Sequence, residues 1–244
     1  MDALPHCGSP QRVIDDLSWH WAMRHGRAAD LHDPAPPTQA TRTVWDMRVS
    51  EPSLVLGSTQ ASEDVDAAAA AAAGIAVGRR RSGGGAVLLI PDEHLWLDVW
   101  LPAADPLWLD DVGRAADWLA AVWVRALRSL GTTDLHVQTG PLERGAWGRQ
   151  VCFAGIGPAE VTVGGRKLVG ISQRRTRDWV RFQCLVHERW DAATTFGLLT
   201  RPGAAVAGTD WADRVGTAEA SPLRSAFTTA LSAAAPAIET PVER

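Results

Sequence analysis

The sequence has no tyrosine, three cysteines and a single lysine in 244 residues, and each scarcity excludes something. Cys7, Cys152 and Cys184 are too few and too scattered for a disulfide framework. None has Cys-x-x-Cys or Cys/His zinc-ligand spacing, so any special cysteine here is a thiol. No apolar run reaches about eighteen residues, the minimum for a membrane span. The first ten residues lack a basic stretch followed by an apolar one, so no signal peptide is expected and the location is read as cytoplasmic. The formal net charge of −4, with arginines interspersed among Asp and Glu, argues against a nucleic-acid partner, because phosphate binding wants a basic face. No metal spacing appears among the seven histidines, which are read as surface or packing residues. The partners left are small molecules and proteins.

The most useful compositional fact concerns that lysine. Of 24 Lys plus Arg residues, only Lys167 is lysine. Ala-rich, Arg-rich usage replaces Lys wherever Arg will serve, which marks the survivor as a place where a planar guanidinium does not fit. A hydrophobic fraction of 46% can supply a sizeable core. The simplest organisation is a single domain over 1–244, with a core at about 15–200 and a C-terminal helical extension at 201–244.

Along the chain, residues 13–25 read as an amphipathic helix, with Leu17 and Trp21 at helical spacing. A Pro-rich loop follows. Residues 43–49 and 53–56 read as strands, 64–73 as an Ala-rich helix stopped at Gly74, and 75–81 as a strand running into Ser82-Gly83-Gly84-Gly85. Strand character resumes at 86–90, and residues 94–101 alternate through Leu95, Leu97, Val99 and Leu101. The longest helix is expected over 110–130, ended by Gly131. Val161 and Val163 lead through Gly164-Gly165 to Lys167, Val169 and Ile171, which is a hairpin pattern. A strand at 179–186 precedes helices at 190–199 and 222–235. Clustered strands, hairpin turns and few helices argue for an α+β fold with a mixed, largely antiparallel sheet.

Three constellations could carry chemistry. Arg79-Arg80-Arg81 followed by Ser82 and three glycines places approachable backbone N–H groups beside positive charge, a cradle for an anion or an acyl chain. It is neither a Walker A loop nor a dinucleotide fingerprint, since no Gly-Lys-Ser/Thr and no helix follow. Lys167, just past a tight turn, could hold a phosphate or a developing oxyanion. Cys152, before Phe153 and a Gly-rich stretch, is a candidate nucleophile.

Taken in order, Arg79 to Val87 and Gly165 to Gly170 resemble the arginine and triple-glycine signature and the lysine motif of the lipoate-protein ligase and octanoyltransferase family. Trp45 and Leu56-Gly57-Ser58-Thr59-Gln60 resemble its upstream strand and Gly-x-x-Gln segment. The resemblance implies a biotin/lipoate-ligase-like catalytic domain of the class II aminoacyl-tRNA synthetase type. It implies a ligase that activates lipoate or octanoate with ATP and Mg2+ as an acyl-adenylate. The acyl group then passes to a lysine of a lipoyl carrier domain or H-protein-like acceptor. On that reading Lys167 and Cys152 are the catalytic candidates, and Arg79, Arg80, Ser82, Gly83, Gly84, Gly85, Gly170 and Gln173 bind substrate. Cys152-Phe153 before the lysine motif is also similar to the cysteine-dependent octanoyltransferases, which take octanoate from acyl carrier protein without ATP. The unbroken triple glycine tips the choice to the ligase, and an acyl-binding module without catalysis is a third reading. The chain departs from both branches at Leu88-Leu89 and at Gln183-Cys184, where histidines are expected, and at Ile171-Ser172, where small residues are.

Overall fold

The computed structural model describes residues 18–144, 147–200 and 212–234. Within them run, in order, β1 (Trp19–Gly26), α1 (Ala28–His32), β2 (Arg42–Val49), β3 (Ser53–Leu56), α2 (Ala67–Ala72), β4 (Ala76–Arg79), β5 (Val87–Leu89) and β6 (His94–Pro102). Then come α3 (Asp117–Ser129), β7 (Leu135–Val137), β8 (Val161–Val163), β9 (Arg166–Arg175), β10 (Trp179–His187), α4 (Ala192–Gly197) and α5 (Ala220–Ser232). A seven-stranded sheet has the order β1-β2-β6-β10-β9-β8-β7, and a three-stranded one has β4-β3-β5. Parallel pairing occurs between β1 and β2 and between β3 and β4, and the remaining strand pairs are antiparallel. The mixed, mostly antiparallel α+β expectation holds.

Every residue of β6 is buried, because the large sheet is covered on both faces. Leu95, Leu97, Val99 and Leu101 point to a core closed by Leu119, Trp123 and Leu127 of α3 and Leu223, Phe227 and Leu231 of α5. Trp123 and Phe227 lie 4.2 Å apart at its centre. The alternate residues Trp96 and Trp100 face the other way, into a second core with Leu31, Trp45, Val87 and Leu89. The three-stranded sheet thus packs over that second face, and the space left between the two sheets becomes the site. Gly164 and Gly165, with φ of 53° and 74°, make the tight turn of the β8–β9 hairpin, a backbone that glycine adopts without a Cβ penalty.

Two helix expectations are corrected. Residues 19–25 form an edge strand rather than a helix: Trp19, Trp21 and Met23 alternate as well as they satisfy a helical period, and parallel pairing along β2 settles the choice. Residues 13–17 and Cys7 lie outside the described residues. α3 begins at Asp117 rather than at 110, because the Asp111 carboxylate accepts from the Gly113 N–H at 2.8 Å and closes a turn there instead. α1 and β7 have no counterpart in the sequence reading. Of the expected 201–244 extension, α5 lies inside the main core, while 201–211 and 235–244 lie outside the described residues.

His94 and His187 face each other in register on β6 and β10. Burial pushes the His94 imidazole down to about 4, helped by Arg48. Burial, then His94 and Lys167, push His187 down to about 3. The folded state therefore binds fewer protons than the unfolded chain below the ordinary histidine value of about 6.5, so stability is full above it and falls as pH drops towards 4. Asp98, raised by burial to about 6 against the pull of Arg181, acts in the opposite direction with a single group. The urea-unfolding free energy should fall by on the order of a few kcal/mol between pH 7 and pH 4, and His94→Gln should flatten that slope. A flat profile in the wild-type protein would contradict the burial of these rings.

Candidate functional site

The triple glycine is held by an arginine. Arg80, at 5% exposure, donates from one guanidinium nitrogen to the Val55 carbonyl at 3.1 Å, and from another to those of Gly83 and Gly85 at 2.9 and 2.7 Å. A charged donor that satisfies three buried carbonyls fixes the loop against β3. The loop then has no room for side chains. A Cβ on Gly85 would sit 2.5 Å from the Val151 nitrogen, and one on Gly57 would sit 1.9 Å from the Gly84 carbonyl oxygen. Ala86 donates to the Gln150 carbonyl at 2.8 Å and accepts from the Cys152 N–H at 3.0 Å. By these two bonds the position of the glycine loop sets the position of Cys152.

Cys152 opens a single helical turn, Cys152–Ala154, and its partly exposed side chain lines the cleft between the sheets. With it stand Gly83 from the loop, Val87 and Leu89 of β5, Trp96 of β6, Gly170 of β9 and Leu185 of β10. The lining is chiefly apolar.

Lys167 lies one layer behind this surface, at 2% exposure. Its ammonium is 2.6 Å from Glu160 Oε2, donates to the Cys152 and Gly155 carbonyls at 3.2 and 3.1 Å, and sits 4.9 Å above the Phe153 ring. Glu160 also accepts from the Gly157 and Ile171 N–H groups at 2.6 and 3.1 Å, so both its oxygens are used. Gly170 makes this packing possible, since a Cβ there would press on Phe153 Cζ at 3.1 Å and Lys167 Cε at 3.3 Å.

The fold thus brings together Arg80, Gly83, Cys152 and Gly170 on one cleft, with Lys167 attached through Glu160 and Phe153. Gly84 touches it through Cys152, whose Sγ would be 3.6 Å from a Gly84 Cβ. Ser82 stands at the mouth, its hydroxyl 3.5 Å from that of Ser172. Arg79 turns elsewhere, donating to the Gly57 and Gln60 carbonyls and to the Ser62 hydroxyl. Gln173 donates to the Val112 carbonyl and does not line the cleft. Sequence reasoning missed Glu160, although a carboxylate seven residues before a lone lysine, across a tight hairpin, is a usable signal. It also missed Gln183 and His32 on the cleft wall. Among the described residues no group of three or more His, Cys, Asp or Glu could hold a metal ion, and no helix is long and apolar enough to cross a membrane.

The family model for the lipoyl protein ligase A/B catalytic domain matches residues 28–234. No curated protein matches the chain. Among solved structures, lipoate-protein ligase A bound with ATP is 20% identical, with a TM-score of 0.61 over 79% of this chain and 72% of that one. The bipartite lipoate protein ligase of Thermoplasma acidophilum, solved in work on that ligase and its E2 lipoyl domain, is 19% identical at a TM-score of 0.58 over 79% and 71%. LipL1 of P. falciparum in complex with lipoate is 14% identical at 0.54 over 79% and 47%. At such identities these likenesses show the fold.

The buried ion pair yields a test. Glu160→Gln leaves an ammonium facing a neutral amide and should destabilise the protein by about 3 kcal/mol or more, because an unpaired buried charge costs that much. Replacing both partners, Glu160→Gln with Lys167→Met, should recover most of the loss in urea unfolding. Lys167→Arg should also destabilise, since the larger fork must enter the space between Phe153 and Gly170.

Proposed function

Because the chain belongs to the lipoyl protein ligase A/B catalytic-domain family, we propose that it transfers a medium-chain acyl group, octanoyl in the first instance, from an acyl carrier protein to a lysine of a lipoyl carrier domain through a thioester on Cys152. One observation carries this reading. The Cys152 thiol lines the apolar cleft, whereas the lone ammonium stands behind it, already neutralised by Glu160. A neutral Lys–Glu pair suits a neutral thioester better than a phosphate.

The chemistry needs no external energy. Cys152, as thiolate, attacks the acyl carbonyl carbon; a new C–S bond forms, the bond to the carrier's thiol breaks, and the departing thiolate takes up the proton that Cys152 lost. In the second half the acceptor lysine amine attacks the same carbon, the Cys152 C–S bond breaks, and an amide forms while Cys152 regains its proton. Val87, Leu89, Trp96 and Leu185 hold the chain and exclude water from the thioester. Lys167 fixes the Cys152 and Gly155 carbonyls, so the backbone that presents the thiol cannot turn.

The ligase reading favoured by the sequence alone keeps support from the solved relative that shares the fold and is bound with ATP. The cations assigned to an adenylate do not fit a triphosphate as they stand. Arg79 and Arg80 are bonded to backbone carbonyls, and Lys167 is bonded to Glu160 and two more. We therefore place the transferase first and assign no step to ATP or Mg2+.

Purified protein mixed with octanoyl acyl carrier protein, without ATP, should gain one octanoyl group by intact mass, and Cys152→Ser should abolish the gain with an unchanged thermal midpoint. Transfer that requires ATP and free octanoate and survives in Cys152→Ser would instead establish the ligase.

A further inference from the structure

One polar group on the cleft wall lacks a partner. His32 Nε2 is buried, and no described residue hydrogen-bonds it. A buried donor left alone is costly, so other contacts must hold the ring. They do. The imidazole packs on Trp96 with centroids 4.4 Å apart. The Leu31 and His32 carbonyls accept from the Arg181 guanidinium at 2.7 and 2.8 Å, and that guanidinium is itself fixed by Asp98, 2.7 Å from its Nε.

The same network sets the tautomer. Gln183 Nε2 lies 3.2 Å from His32 Nδ1. An amide nitrogen only donates, so its N–H points at His32. Nδ1 is then the acceptor and the ring proton resides on Nε2. Burial, then the charges of Arg80 and Arg181, hold the ring's pKa well below its ordinary value, so it is neutral near pH 7.

We infer that His32 is a catalytic residue of the acyl transfer, its Nε2–H donating a hydrogen bond to the acyl carbonyl oxygen as negative charge develops there during attack by Cys152. The inference rests on the Cys152 thioester reading. His32 and Cys152 line one cleft, and the other walls there are largely apolar, so a fixed neutral donor acts in low dielectric where it counts most. The ring is a donor and not a base. Its Nε2 already bears a proton and its Nδ1 is occupied, so the Cys152 proton goes to the departing thiolate. Gln183, where the family pattern leads to a histidine, orients this donor through Nδ1 and is a positioning residue. The histidine on this cleft comes from α1.

The test is single-turnover acylation of Cys152 by octanoyl acyl carrier protein, set beside reaction of the same thiol with 4,4′-dithiodipyridine, which has no carbonyl, both followed at Cys152 by peptide mass spectrometry. His32→Leu should slow acylation by about 100-fold, the usual loss for one such donor, and leave the disulfide reaction unchanged. His32→Gln, which retains an N–H, should restore part of the rate. Acylation of His32→Leu at the wild-type rate overturns the inference, as does equal slowing of both reactions, which marks a structural role. Absence of any Cys152 adduct in the wild-type protein defeats the thioester reading itself, and the inference with it.

Discussion

The arrangement of the cleft depends on the Arg80 guanidinium. Three consecutive glycines carry the largest backbone entropy of any tripeptide, and without an anchor they would sample many paths. Arg80 collects the carbonyls of Val55, Gly83 and Gly85, which binds the loop to the three-stranded sheet. Because the loop's exit pairs with Gln150 and Cys152, the thiol's position is inherited from the arginine. A residue that reads from sequence as a ligand-binding cation therefore acts here on the protein's own backbone. The neighbouring arginine does the same one turn away at Gly57 and Gln60. Positive charge near a glycine-rich loop is thus ambiguous until the carbonyls around it are counted.

A similar logic explains why one lysine survives in a chain that otherwise uses arginine. The Lys167 ammonium is a point charge with three donors, and it meets three acceptors: Glu160 and the Cys152 and Gly155 carbonyls. A guanidinium is planar and wider, and the Phe153 ring and Gly170 leave no space for it. Such a pair adds little net stability, since desolvation offsets the Coulomb attraction. Its effect is one of register. It joins β9 to the Cys152 turn, so the second face of the large sheet and the loop from the small sheet meet at a fixed separation.

Much of this was legible in the sequence, and the reasons for the rest are physical. Periodicity and turn chemistry located β2, β3, β6, β10 and the β8–β9 hairpin, because each has a distinct face or a glycine pair that few turns can use. They failed at β1, where aromatic residues at short spacing satisfy both periods and only the neighbouring strand decides. They started α3 too early, because an Asp-turn at Asp111 competes with the helix locally. In the site, Lys167, Cys152 and the glycine loop were recognisable since each is rare or repeated. Glu160 and His32 were not, because a carboxylate and an imidazole are ordinary in composition and gain meaning only from burial and from the partner each faces.

The placing of His32 on the cleft wall follows from the way the cleft is built. Its walls come from two sheets and from α1, so a given point inside can be reached from several segments of chain. A side chain at position 183 can enter directly, or it can turn and support a ring arriving from α1. The second solution requires a side chain that donates to the ring's Nδ1, and glutamine meets that requirement where leucine would not. It also requires α1 to be tied down, which the Arg181 bonds to Leu31 and His32 accomplish. Gln183 therefore acts on the cleft through the His32 ring it supports, and not by entering it as a reacting group.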